Sequence, residues 1–137
     1  MGLDSHFGFD LDDTLDHPSI VDILLSVYAR GHPVTVISGS KRKTLEAVKR
    51  KQMEVLGVPE KVPLYIVHGA TFAEIADGKA ELVLSLGIDL FIDDHPLFCS
   101  TIREKAPGVV VLRVSGPRVQ RSKGRAEKLL GGHDGPG

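Results

Sequence analysis

Five short apolar runs, rich in β-branched or aromatic residues and separated by turn signals, recur along the chain at His6–Phe9, Val34–Ile37, Leu64–Val67, Leu90–Ile92 and Val109–Val114. Each reads as a strand. Between them lie four segments with helical spacing: Ser19–Arg30 (Ile20, Ile23, Leu24, Val27), Lys41–Leu56 (Leu45, Val48, Met53), Lys79–Leu86 and Leu97–Lys105. Gly31 and Gly57 follow the first two helices, and Gly87 and Pro107-Gly108 precede the last two strands. The strands are apolar at consecutive positions rather than at every other one, so both of their faces require cover. Alternation of such strands with helices predicts the α/β class, with a mostly parallel sheet and helices on both faces.

A chain of 137 residues with 42% hydrophobic positions has room for one domain and one core. That domain is expected at residues 1–116, followed by a basic, Gly-rich, mobile tail at 117–137 carrying Arg118, Arg121, Lys123, Arg125 and Lys128. Seventeen Lys plus Arg against eighteen Asp plus Glu leave a net charge of -1, which does not point to nucleic acid or an acidic membrane as partner. No apolar run reaches the length of a membrane span, and MGLDSHFGFD lacks the basic and apolar regions of a secretory signal. The Met-Gly start has His6 where a myristoylation motif wants Ser or Thr. A single cysteine, Cys99, makes no internal disulfide and suits a reducing cytoplasm.

Ligands of open α/β sheets bind beyond the carboxyl ends of the strands. The residues there are Asp10-Leu11-Asp12-Asp13-Thr14 after the first run, Ser38-Gly39-Ser40 after the second, His68-Gly69 after the third and Asp93-Asp94-His95 after the fourth. Crowded carboxylates repel and are costly to desolvate, so Asp10, Asp12, Asp93 and Asp94 together imply a bound cation. Ligation by oxygen alone points to Mg²⁺, whereas zinc would favour Cys and His at its usual spacing.

Asp10-Leu11-Asp12-Asp13-Thr14-Leu15 behind an apolar strand resembles the DxDxT signature of the haloacid dehalogenase superfamily. Ser38 resembles the second motif of that superfamily, Lys79 the third and Asp93-Asp94 the acidic fourth, over a stretch from about Phe7 to Val114. The resemblance implies a Rossmann-like three-layer sandwich with a five-stranded sheet of order 5-4-1-2-3. It implies an aspartyl-phosphate formed on Asp10, with Asp12 as acid and base. Asp10, Asp94 and the backbone carbonyl of Asp12 would hold Mg²⁺, with Asp93 joining through water or orienting the shell, and Ser38, Gly39 and Lys79 would bind phosphate.

Lys79 is preferred to Lys41, Lys43 and Lys61 because it opens the helix leading into the Asp93 strand. His17, Lys41 and His95 are candidate substrate contacts, although loop histidines and lysines are more often merely solvated, and His68 lies on the same rim. Lys41, Arg42 and Lys43 are expected at a helix start, where basic side chains oppose the helix dipole. There is no room for the cap domain common in the superfamily. The expected substrate is therefore a phosphate on a macromolecule, a nucleic acid end included, or a small phosphate covered by a lid from a second subunit. Two alternatives are a non-catalytic module that binds Mg²⁺ and phosphate, and a receiver-type phosphoacceptor. A receiver, however, would have its phosphorylated Asp where this chain has His68.

Overall fold

The computed structural model describes residues 4–43 and 46–115. The tail at 117–137 and the apolar Leu45 lie outside the described residues. The elements are β1 (Phe7–Phe9), α1 (Pro18–Ala29), β2 (Val34–Ser40), α2 (Glu46–Leu56), β3 (Leu64–His68), α3 (Phe72–Ser85), β4 (Leu90–Asp93), α4 (Pro96–Lys105) and β5 (Val110–Arg113). The strands form one sheet in the order β3-β2-β1-β4-β5, and every neighbouring pair is parallel. This is the expected α/β sandwich, read from its other edge.

Alternate strand residues feed two cores. Val36 and Ile92 join Val21 and Leu24 of α1 and Met53 of α2 on one face. Ile37 and Phe91 join Ile75, Ala80 and Val83 of α3 and Phe98 and Ile102 of α4 on the other. Full burial of a side chain such as Leu24, Ile37 or Phe91 is worth about 1.5–3 kcal/mol relative to exposure, which is why continuous apolar strands require two helical layers. Among the described residues, no helix is long and apolar enough to cross a membrane.

Three boundaries depart from the sequence reading. Helix α3 begins at Phe72, so Lys79 lies inside it rather than opening it. The start is set by Thr71, whose hydroxyl accepts from the amide of Glu74 while the Glu74 carboxylate accepts from the amide of Ala70, close to a capping box. Gly78 disguises this helix in the sequence. Its missing side chain makes room for Val67, whose Cγ1 would stand 2.5 Å from an added Cβ.

Strand β2 continues to Ser40, with Ser38, Gly39 and Ser40 paired to Ile66, Val67 and His68. The basic run Lys41, Arg42, Lys43 is not helical; α2 is described from Glu46. A local turn competes there, since the Ser40 hydroxyl accepts from the amide of Arg42 at 3.2 Å.

Candidate functional site

The central strands β1 and β4 run side by side, so the residues just past Phe9 and Ile92 meet at one end of the sheet. The amide of Asp10 donates to the carbonyl of Ile92 at 2.9 Å, which extends the ladder and locks Asp10 beside Asp93. From the α3 side, the ammonium of Lys79 bridges the pair at 2.8 Å from Asp10 Oδ1 and 2.8 Å from Asp93 Oδ2. Lys79 and Asp93 are fully buried, and Asp10 and Asp94 nearly so. The remaining oxygen of Asp93 accepts from the amides of Asp94, at 2.7 Å, and His95, at 3.1 Å. The Thr14 hydroxyl lies 3.0 Å from Asp10 Oδ2 and 3.3 Å from Asp94 Oδ1, and its single hydrogen serves one of them at a time.

Burial, and then the charge of Asp93, push the carboxyl of Asp10 well above its usual range; Lys79 opposes this and Asp94 adds to it. For Lys79, burial favours the neutral amine, but the charges and hydrogen bonds of Asp10 and Asp93 outweigh it and hold the ammonium above its ordinary pKa. Three carboxylate oxygens, one each from Asp10, Asp93 and Asp94, lie within 4.8 Å of one another. An all-oxygen set of this kind fits a hard divalent cation better than zinc.

Asp12 points elsewhere. It follows Asp10 by two residues, and the next residue, Asp13, turns the chain with φ 62°, a left-handed conformation that aspartate tolerates better than most residues. The Oδ2 of Asp12 accepts from the Lys49 ammonium at 2.6 Å and, more weakly, from the Ser38 hydroxyl at 3.4 Å. Its Oδ1 accepts from the Gln52 amide at 2.9 Å. Burial would raise the Asp12 carboxyl, but the charge of Lys49 and the bonds from Lys49, Gln52 and Ser38 hold it below its usual pKa. The Asp12 side chain is thus outside the three-oxygen group and is already engaged by α2.

Gly39 permits close approach of α3. An added Cβ would stand 2.5 Å from Ile75 Cγ2 and 3.5 Å from Lys79 Cε, so a larger residue would displace the helix that delivers Lys79. His17 and His95 occupy equivalent places, at the N-caps of α1 and α4, each before a proline, and neither side chain caps its helix. His95 instead stacks on Phe98, with ring centroids 4.0 Å apart and planes 17° apart. Lys41 places its ammonium 4.0 Å over the ring of Phe72. His68 bonds through Nδ1 to the carbonyl of Arg42 at 3.1 Å.

The fold therefore brings Asp10, Lys79, Asp93 and Asp94 into one buried cluster, sets Ser38 and Asp12 beside it with Lys49 and Gln52, and places Lys41 and His95 on an aromatic rim. Sequence reasoning passed over Lys49, Gln52, Phe72 and Phe98 and gave Thr14 no role of its own. Lys49 and Gln52 left one usable trace, since they lie three apart on one face of α2 together with buried Met53. No protein-family model and no curated protein sequence matches the chain.

Proposed function

We propose that this chain is a Mg²⁺-dependent phosphomonoester hydrolase of the haloacid dehalogenase type, without a cap and with Asp10 as nucleophile. The observation that carries the reading is the buried Asp10–Lys79–Asp93 bridge, with Asp94 beside it, at the carboxyl ends of the two central strands. Burying three carboxylates around one ammonium is costly for stability alone, and functional need is the simplest reason to keep them. Asp10, Asp94 and the backbone carbonyl of Asp12 would hold the cation, with Asp93 joining it directly or through water. When bound, Mg²⁺ would neutralise part of this charge and of the charge on the phosphoryl oxygens.

In the first step, a carboxylate oxygen of Asp10 attacks phosphorus, the bond to the leaving oxygen breaks, and that oxygen takes a proton from Asp12, which has first left Lys49 and Gln52 and taken up that proton from solvent. In the second, Asp12 removes a proton from water as its oxygen attacks phosphorus, which releases phosphate and restores Asp10. Lys79, 2.8 Å from Asp10, supplies fixed positive charge beside the reacting oxygen, and Ser38 and Gly39 bound the phosphoryl site. The substrate is a phosphate on a macromolecule, nucleic acid included, or a small ester with a lid from a second subunit. The setting proposed is cytoplasmic.

One observation favours a second reading, a module that binds cation and phosphate without turnover. Lys49 and Gln52 hold the Asp12 carboxylate anionic and turned from the Asp10 cluster, which suits the base of the second step better than the acid of the first. Turnover of an aryl phosphate with Mg²⁺, measured with and without chelator and beside Asp10→Asn and Asp12→Asn, separates the two. Chelator-sensitive activity lost in both variants supports the hydrolase. Cation binding without turnover on aryl phosphates, phosphorylated metabolites or polymer ends supports the module.

A further inference from the structure

The buried cluster is continuous with an aromatic shelf that the steps above do not use. Phe98 lies beneath Lys79, whose ammonium is 4.6 Å from the ring centroid, and both His95 and Phe72 pack on Phe98, at 4.0 Å and 6.1 Å between centroids. Phe72 and His95 also meet each other at 5.1 Å. Phe72 and Lys79 are seven positions apart on α3 and so share a face, and Phe98 bridges them, in contact with both. The shelf thus runs outward from the reacting centre.

Its outer member is open. Phe72 is 47% exposed although it lies at the start of a helix whose inner face is well buried. Lys41, itself exposed, rests its ammonium on the Phe72 ring, so that ring presents a face to a cation arriving from the β2 side. The buried Nδ1 of His95 has no hydrogen-bond partner among the described residues, so its ring is held by stacking rather than by polar contacts. An exposed aromatic face flanked by Lys41, next to the acidic cluster proposed above to hold Mg²⁺ and phosphate, complements a ligand with a flat ring at one end and a phosphate at the other.

We propose that Phe72, with Phe98 and His95 behind it, is a subsite for an aromatic leaving group, so that the favoured esters are phosphates of alcohols bearing a flat ring, either a nucleobase or a simple arene. The anion half of this proposal rests on the phosphohydrolase reading; the shelf half is testable by binding alone. The ligand's ring takes the place of the Lys41 ammonium over Phe72, and Lys41 then turns to the phosphate.

The test is calorimetric binding of non-hydrolysable phosphonates to the full chain with Mg²⁺, in two matched pairs. Benzylphosphonate is compared with cyclohexylmethylphosphonate, and the phosphonate analogue of adenosine monophosphate with that of ribose 5-phosphate. Stacking of one ring predicts roughly 5- to 150-fold tighter binding of the aromatic member. A preference in the first pair alone assigns an arene, and one in the second pair assigns a nucleobase. Phe72→Ala should remove the preference while leaving the saturated member unchanged, and Phe72→Leu, which keeps apolar bulk, should remove most of it. Equal affinities within both pairs, equal weakening of both members in Phe72→Ala, or no binding of any member at millimolar concentration would overturn the subsite. Selective binding without turnover of phenyl phosphate would leave the subsite standing and count against the hydrolase.

Discussion

Lys49 donates a 2.6 Å hydrogen bond to Oδ2 of Asp12, joining α2 to the turn that follows β1. The lysine side chain is 11% exposed and the aspartate 47%, so solvent partly screens the pair and its contribution is about 1 kcal/mol or less. The charge and hydrogen bonds of Lys49, Gln52 and Ser38 lower the folded Asp12 pKa despite burial, while the unfolded chain titrates near ~3.9. A lowered folded pKa stabilises the protein above the unfolded value, and that stabilisation is lost as pH falls through the folded one. Urea denaturation should therefore show Lys49→Met less stable than wild type by a constant amount from about pH 8 to pH 5, with the gap closing below about pH 4. A gap that persists in acid would assign the role of Lys49 to packing.

Lys79 should matter far more to stability. Its removal leaves Asp10 and Asp93 facing each other in a fully buried site, and breaking a buried pair typically costs about 3–5 kcal/mol. Lys79→Met is expected to lose stability on this scale at neutral pH, read from urea midpoints. Part of the loss should return at mildly acidic pH, where Asp10 can take up a proton. A variant as stable as wild type would contradict the bridge.

Asp10→Asn should do the reverse in the presence of chelator. Burial first, and Asp93 second, raise the folded Asp10 pKa, so the unfolded chain releases this proton at lower pH than the folded one. The stability penalty is then absent below the unfolded pKa, near ~3.9, and grows as pH rises toward the folded one. Asp10→Asn removes the penalty, so with chelator the variant should be at least as stable as wild type at neutral pH. Mg²⁺ should stabilise wild type, by about 2.7 kcal/mol at a hundredfold excess over Kd, and stabilise Asp10→Asn much less. Equal Mg²⁺ responses in thermal melts of the two proteins would rule out Asp10 as a ligand.

Cys99 is fully buried, and its Sγ lies 3.6 Å from the carbonyl oxygen of Asp93. Burial, then the Asp93 charge, push its thiol up to about 11, against the smaller opposing effects of Arg103, Lys79 and Arg113. At pH 8 only about one thiol in a thousand is then ionised, against about a quarter for a free cysteine. A disulfide reagent should label the folded protein very slowly and the urea-unfolded protein within seconds to minutes. Rapid labelling of the folded state would mean that α4 opens readily.

The division between what was readable and what was not follows the range of the forces. Continuous apolar runs at Val34–Ile37 and Leu90–Ile92 can be satisfied only between two helical layers, so the α/β class and the location of the acidic rim were legible in sequence. The start of α3 depended on short-range signals that were present but masked, since the Thr71–Glu74 capping pattern was obscured by Gly78, a helix-weakening residue kept there for the approach of Val67.

Composition and spacing thus determined that Asp10, Asp93 and Asp94 stand together at the strand ends, because parallel β-strands align their carboxyl termini whatever the details of packing, but not that the Asp12 side chain turns away from them. Only the tertiary structure decided how those charges are paired. Lys79 could join Asp10 to Asp93 because α3 packs its buried face on the sheet, and Lys49 could capture Asp12 because α2 packs beside the turn after β1. Such pairings join residues from 14 to 69 positions apart, through hydrogen bonds only a few ångströms long. No local pattern encodes them; they follow from where each helix comes to rest on the sheet.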